Sequence, residues 1–255
     1  ALLRRADARR SHAWGSESAR IDLIPHQLRV AEMAASRSPL RILLADEVGL
    51  GKTIEAGMIL ARLLANGRVG RVLVLLPESL VYQWFVELLR RFNLQFSLFD
   101  EERCESIETS DPTRNPFQDE QLVMASIGFL SGSEKRASQV IAAGWDLVIV
   151  DEAHHLAWSV ESASPQYTLV EALASTTPGL ILLTATPEQL GRSGHFARLR
   201  LLDPARYHDL ETYVVDADGF GALSGIVGKL VEGQPLSVGD CRELAQRLGD
   251  DEELT

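Results

Sequence analysis

The apolar positions of this chain follow two alternating rhythms. Short runs rich in Leu, Ile and Val occupy Ile42–Ala45, Val72–Leu76, Phe96–Phe99, Leu122–Ser126, Leu147–Val150 and Leu180–Thr184. The runs at 42, 72, 147 and 180 are continuously apolar, as strands buried on both faces must be. Between the runs lie stretches such as Ile54–Leu64 and Ser79–Phe92, whose apolar residues recur at the spacing of a helix with one buried side. This alternation predicts an α/β fold, a parallel sheet covered by helices on both faces. Ligands of such sheets sit at the carboxyl ends of the strands, so the chemistry is expected there.

The rhythm lapses in two places. Residues 101–119 carry acids together with Pro112, Asn115 and Pro116 and read as a long surface loop. After Pro204 the strand signal stops. Two helices are expected near 220–232 and 238–248, the second opened by Ser237 with Asp240 three residues on, a capping-box arrangement. The run Asp250-Asp251-Glu252-Glu253 reads as a solvated linker. The chain opens at Ala1 with a string of arginines and no signal-peptide pattern, and residues 1–20 read as a linker from a longer chain. The expected organisation is that linker, one α/β domain over 21–204 and a helical appendage over 205–255.

Composition narrows the classes. With 255 residues, 45% of them apolar, the chain can bury a sizeable core without staples. No apolar run approaches the roughly 18 residues a membrane-spanning helix needs. Two cysteines, Cys104 and Cys241, exclude a disulfide scaffold and a cysteine-rich zinc module. A net charge of −11 excludes an all-over basic nucleic-acid binder. Any nucleic acid must be held by local backbone donors and a few arginines.

Two motifs carry chemistry. The first is Asp46-Glu47-Val48-Gly49-Leu50-Gly51-Lys52-Thr53, directly after the run at 42–45 and directly before a helical pattern. Glycines let backbone N–H groups turn inward, and the helix adds its positive end, which together make an anion site. Lys52 would reach the β- and γ-phosphates and Thr53 would ligate Mg²⁺. The strict pattern places Gly where this chain has Asp46, so the motif alone also fits an ordinary glycine turn; the strand-before, helix-after context favours phosphate. The second motif is Asp151-Glu152-Ala153-His154-His155, which sets two carboxylates at the end of a buried strand. Ionised acids there need a cation or donors. Asp151 suits Mg²⁺ and Glu152 suits polarising water, whereas the plainer reading makes both acids caps of the next helix. His154 either links this box to the next motif or is a hydrogen-bonded structural histidine, and His155 reads as structural. Zinc spacing and the G-x-S-x-G nucleophile pattern are absent.

These residues resemble a known family. Asp46–Thr53, Asp151–His154 and Leu183-Thr184-Ala185-Thr186-Pro187-Glu188-Gln189 look like motifs I, II and III of superfamily 2 helicase-like ATPases, specifically the Swi/Snf branch, which tolerates Asp at position 46. Ile24-Pro25-His26-Gln27 resembles the upstream glutamine motif. Longer stretches at 44–60, 87–94 and 195–204 resemble bacterial RNA polymerase-associated members of the branch. The resemblance covers about residues 21–210 and implies a P-loop NTPase (RecA-like) first lobe. Its cofactors are ATP and Mg²⁺, and its partners RNA polymerase and duplex DNA or DNA/RNA in bacterial, nucleoid-associated transcription complexes. It implies that Gln27 bonds adenine, that Gly49 to Thr53 hold phosphates and Mg²⁺, and that Asp151 and Glu152 serve metal and water. Thr184 and Thr186 then couple nucleotide state to nucleic acid, and Ser79 and Ser126 lie in stretches that resemble motifs touching the phosphate backbone. For both serines helix capping is an equal reading. Trp84 reads as core, and Arg192, Arg198 and Arg200 read as solvated helix residues. Such ATPases take their arginine fingers from a second lobe, for which nothing after Pro204 has room, so this chain alone is expected to be inactive. The alternatives are a lobe of a DEAH-type RNA helicase and a polymerase-docking module without activity of its own.

Overall fold

The computed structural model describes residues 24–45, 51–185, 191–231 and, singly, 235, 237 and 239. In chain order its elements are α1 (Pro25–Ser36), β1 (Arg41–Ala45), α2 (Lys52–Ala65), β2 (Val72–Leu76), α3 (Glu78–Phe92), β3 (Ser97–Phe99), α4 (Glu101–Ser110), β4 (Leu122–Ser126), α5 (Ile127–Ser131), α6 (Glu134–Ala142), β5 (Leu147–Val150), α7 (Pro165–Thr176), β6 (Gly179–Thr184), α8 (Gly191–Leu202) and α9 (Leu210–Val231). All strand pairs are parallel, and the order across the sheet is β1-β6-β5-β2-β4-β3. The expected α/β class holds. The runs at 72–76, 122–126 and 147–150 are strands over those same residues.

The strands are apolar throughout because both faces are covered. Val72, Val74, Leu76, Leu147, Ile149, Ile181 and Leu183 point to one side, where they meet Ala31 of α1, Ile59 and Leu63 of α2 and Leu88 of α3. Leu73, Leu75, Val148, Val150, Leu180 and Leu182 point to the other, against Leu130 of α5, Val140 of α6, Val170 and Leu173 of α7 and Leu201 of α8. Each such side chain contributes about 1.5–3 kcal/mol when fully buried. Helices α2 and α3 approach so closely that a Cβ on Gly57 would lie 2.3 Å from the Phe92 ring.

The loop expected over 101–119 is mostly a helix. Asp100 caps α4 by accepting from the Arg103 N–H at 2.9 Å, and buried Cys104 anchors its inner side. Glu101 and Glu108, two turns apart, share a face that receives Arg136 of α6. That guanidinium is 1% exposed and bonds Glu108 Oε1 at 2.7 Å as well as Glu101. The acids that suggest a solvated loop are therefore held by a buried cation from a distant element. Only the short 3-10 turn Pro116–Gln118 interrupts the loop that follows.

Residues 1–206 and 207–255 form two compact units. The second contains α9, whose start is fixed by Asp209, a side chain that accepts from both the N–H and the hydroxyl of Thr212 at 2.7 Å. One helix thus begins at Leu210 where a start near 220 is expected, because the Asp209 cap lies eleven residues upstream of that position. The helix expected at 238–248, and the linkers at 1–20 and 250–253, lie outside the described residues.

Candidate nucleotide site

The candidate residues gather at the carboxyl ends of four neighbouring strands, β1, β6, β5 and β2. Gly51 caps α2 with φ +91°, in the left-handed region that favours glycine, and its carbonyl accepts from Ile54 N at 2.7 Å and Glu55 N at 3.0 Å. Lys52 and Thr53 open the helix, both half-buried. Gln27, in the first turn of α1 and 5% exposed, lays its amide across Gly51, where an added Cβ would sit 2.8 Å from Nε2. Thus the glutamine near the start of the chain and the loop after β1 are in contact. Asp46, Glu47, Val48, Gly49 and Leu50 lie outside the described residues.

The acidic turn is built by continuation of the sheet. The Asp151 N–H donates to the Leu75 carbonyl at 3.0 Å, extending the β5–β2 ladder by one residue. Its carboxylate is then fixed twice: Oδ1 accepts from Glu152 N at 2.8 Å, and Oδ2 accepts from the Trp84 indole at 2.8 Å. Burial raises the pKa of Asp151, while those two donors and nearby Lys52 pull it back. A cation beside this desolvated carboxylate would relieve the same cost. Glu152 has φ +49°, a left-handed conformation that costs a non-glycine residue about 1–2 kcal/mol. The 3-10 turn Ala153–His155 follows at once. His154 Nδ1 comes within 2.9 Å of Glu152 Oε2, off the line of a ring N–H, so neither atom has an aligned hydrogen bond among the described residues. Burial lowers the pKa of His154, and the neighbouring Glu152 carboxylate opposes that shift.

Thr184 ends β6, paired in register with Ala45 at the start of the loop before Gly51. Its hydroxyl is buried and unpartnered among the described residues, and Thr186 lies outside them. Ser79 is exposed in the first turn of α3 and makes no cap, because the helix starts from Pro77. Ser126 does cap α5, accepting from Phe129 N at 3.4 Å. Among the described residues no cluster of three His, Cys, Asp or Glu could hold a metal ion alone. The Thr53 hydroxyl and the Asp151 carboxylate are oxygen donors of the kind a hard cation takes.

Two residues make contacts that sequence reading misses. Trp84 is core, as expected, yet it is also the donor that orients Asp151. Arg198 is not a solvated helix residue: it is 3% exposed and bonds the carbonyls of Ala153, His154 and Leu156. Its burial follows from its place on the inner face of α8. Arg200 lies over the Trp158 ring, 5.5 Å from its centroid, and 3.6 Å from Glu171, and Arg192 is exposed.

A parallel sheet flanked by helices, with a lysine-threonine helix start after β1 and an acidic turn after β5, defines a RecA-like lobe. The same fold occurs in the Sulfolobus solfataricus SWI2/SNF2 ATPase core in complex with dsDNA, with TM-score 0.63 and 20% identity over 77% of this chain and 39% of that one. The ATPase core domain from the same organism gives TM-score 0.61 and 18% identity over 77% of this chain and 38% of that one. The SNF2-related domain model matches residues 26–218, and the chain belongs to the SNF2-related domain family. Among curated relatives, the RNA polymerase-associated protein RapA of Actinobacillus pleuropneumoniae serotype 7 is 52% identical over 241 residues, which is 92% of this chain and 25% of the relative. RapA of Pseudomonas aeruginosa is 49% identical over 250 residues, 98% of this chain and 26% of the relative. The chain therefore spans about a quarter of the length of these relatives.

Proposed function

We propose that this chain is the ATP-binding first lobe of a Swi/Snf-type nucleic-acid translocase that remodels or recycles RNA polymerase, in the bacterial cytoplasm and near the nucleoid. The observation that carries the reading is the Asp151 carboxylate, buried at the end of β5, fixed by two donors and within electrostatic reach of Lys52. In this reading Gln27 bonds adenine and the backbone from Asp46 to Thr53 cradles the phosphates. Lys52 neutralises phosphate charge, and Thr53 and Asp151 hold Mg²⁺. When bound, Mg²⁺ would supply positive charge against that of the phosphates. Glu152 polarises the attacking water, and His154, Thr184 and Thr186 pass the nucleotide state onward. Ser79 and Ser126 lie near duplex DNA or a DNA/RNA hybrid, with backbone N–H groups of the adjoining turns as phosphate donors. Identity of about 50% to the RapA proteins, whose name associates them with RNA polymerase, supports that partner.

Arginine fingers contribute roughly 10³–10⁵ in rate, and in this reading they belong to a second lobe outside this chain. The chain alone then binds nucleotide and hydrolyses it negligibly. Calorimetry with ATP and Mg²⁺ tests the site: binding is expected for the chain and is expected to vanish in Lys52→Ala. Equal affinity in both would refute the assignment.

A further inference from the structure

Arg198 is an uncommon burial. Its Nε donates to the Ala153 carbonyl at 3.0 Å, and Nη2 donates to the carbonyls of His154 and Leu156, each at 2.9 Å. Nη1 donates to the carbonyl of Gly194, one turn earlier on its own helix. Each of these bonds ends on a backbone carbonyl, so the cation is buried against dipoles, a costly arrangement, and burial lowers its pKa. The turn it grips is short. It holds itself with His155 N to Glu152 O at 2.9 Å and Leu156 N to Ala153 O at 3.2 Å, and it starts at Glu152 with φ +49°. Strained conformations of this kind persist only where the surroundings over-determine them. Helix α8 is itself held at neighbouring positions: the Tyr167 hydroxyl donates to the Ala197 carbonyl at 3.2 Å, and the Phe196 ring lies 5.4 Å from Trp158.

We infer that Arg198 is a positioning residue: by gripping three carbonyls of residues 153–156, it holds Glu152 and His154 in working geometry and joins the acidic turn after β5 to the helix that follows β6. The planar guanidinium spreads five donors over three nitrogens in a rigid fork, a wider reach than the three donors on one ammonium nitrogen. The inference rests on the reading of Glu152 as the residue that polarises water. It predicts a loss confined to the chemical step, because Arg198 touches no residue assigned to phosphate binding.

The test uses the full-length protein with Arg198→Met, Arg198→Lys and, as reference, Glu152→Gln. Steady-state ATP hydrolysis, nucleotide affinity by calorimetry and hydrogen–deuterium exchange at the amides of His155 and Leu156 are measured together. Displacing a catalytic group by about 1 Å costs about 10²-fold, so Arg198→Met is expected to lower kcat about 10²-fold. Nucleotide Kd should stay at the wild-type value and exchange at 155–156 should quicken, with Arg198→Lys intermediate. Wild-type kcat in Arg198→Met, a parallel loss of kcat and affinity, or unchanged exchange would overturn the inference. If Arg198→Met does not fold, Arg198→Lys decides by the same criteria. Wild-type turnover in Glu152→Gln would sink the reading of Glu152 instead, and the exchange measurement would still judge the grip of Arg198 on the turn.

Discussion

Replacing Trp84 by Phe removes one of the two donors that fix the buried Asp151 carboxylate. The indole is 2% exposed and Asp151 is 8% exposed, with 2.8 Å between Nε1 and Oδ2. A hydrogen bond to a charged group contributes about 1.5–3 kcal/mol, and burial on both sides places this one in the upper half, about 2–3 kcal/mol. Lost ring packing adds to the raw effect, so the informative quantity is the coupling in a double-mutant cycle of Trp84→Phe with Asp151→Ala. Urea unfolding of the four chains, at a slope of about 2–3 kcal/mol per molar, should shift the midpoint of Trp84→Phe by about 1 M. The shift should largely disappear when Asp151 is already Ala. A coupling below about 0.5 kcal/mol, the level at which independent sites add, would refute the claim that the indole holds the carboxylate. Nucleotide binding should follow the same logic: the Mg²⁺-dependent part weakens, and binding in EDTA does not.

Glu152→Gln should bind ATP with wild-type affinity and lose turnover in the full-length protein, which single-turnover phosphate release would show. Arg136→Met should destabilise the chain by about 2–3 kcal/mol and lower Tm by roughly 5–10 °C, read by calorimetric melting. Hydrogen bonds from Arg136 hold Glu101 low and, with help from Lys135 and Gln139, Glu108 at about 2. Their folded-state pKa values are depressed, so this stability is present above the ordinary carboxylate range and lost as pH falls toward about 2. The Tm of Arg136→Met should therefore respond less to acid than that of the wild type. Gly51→Ala should cost about 1–2 kcal/mol for its left-handed backbone and push the Gln27 amide away. In Gln27→Ala/Gly51→Ala the melting loss should be smaller than the sum of the two single losses.

The strands were readable because a residue buried on both faces leaves a local mark, an unbroken apolar run. The helix start after β1 was readable for a similar reason: Gly51, Lys52 and Thr53 are adjacent in the sequence. Interactions between distant positions leave no such mark. Trp84 meets Asp151 across 67 residues and Arg198 meets Ala153 across 45, so each looks ordinary in its own neighbourhood, one a core aromatic and the other a helix cation. Helix α4 was obscured in the same way. Its acids are paired by Arg136, which lies 35 residues beyond Glu101 and 28 beyond Glu108. The one local clue was Asp100, a good capping residue just ahead of Glu101 and Glu102.

The sheet order also bears on the time at which the site comes into being during synthesis. Strand β1 is an edge strand whose ladder partner is β6, with Ala45 opposite Thr184. Ribosomes add about 5–20 residues per second, so roughly 7–30 s separate the making of the two halves of this ladder. Before that interval closes, β2, β3 and β4 are made and can pair among themselves, while β1 has no ladder partner. The nascent lobe can begin a core before β1 has a ladder partner.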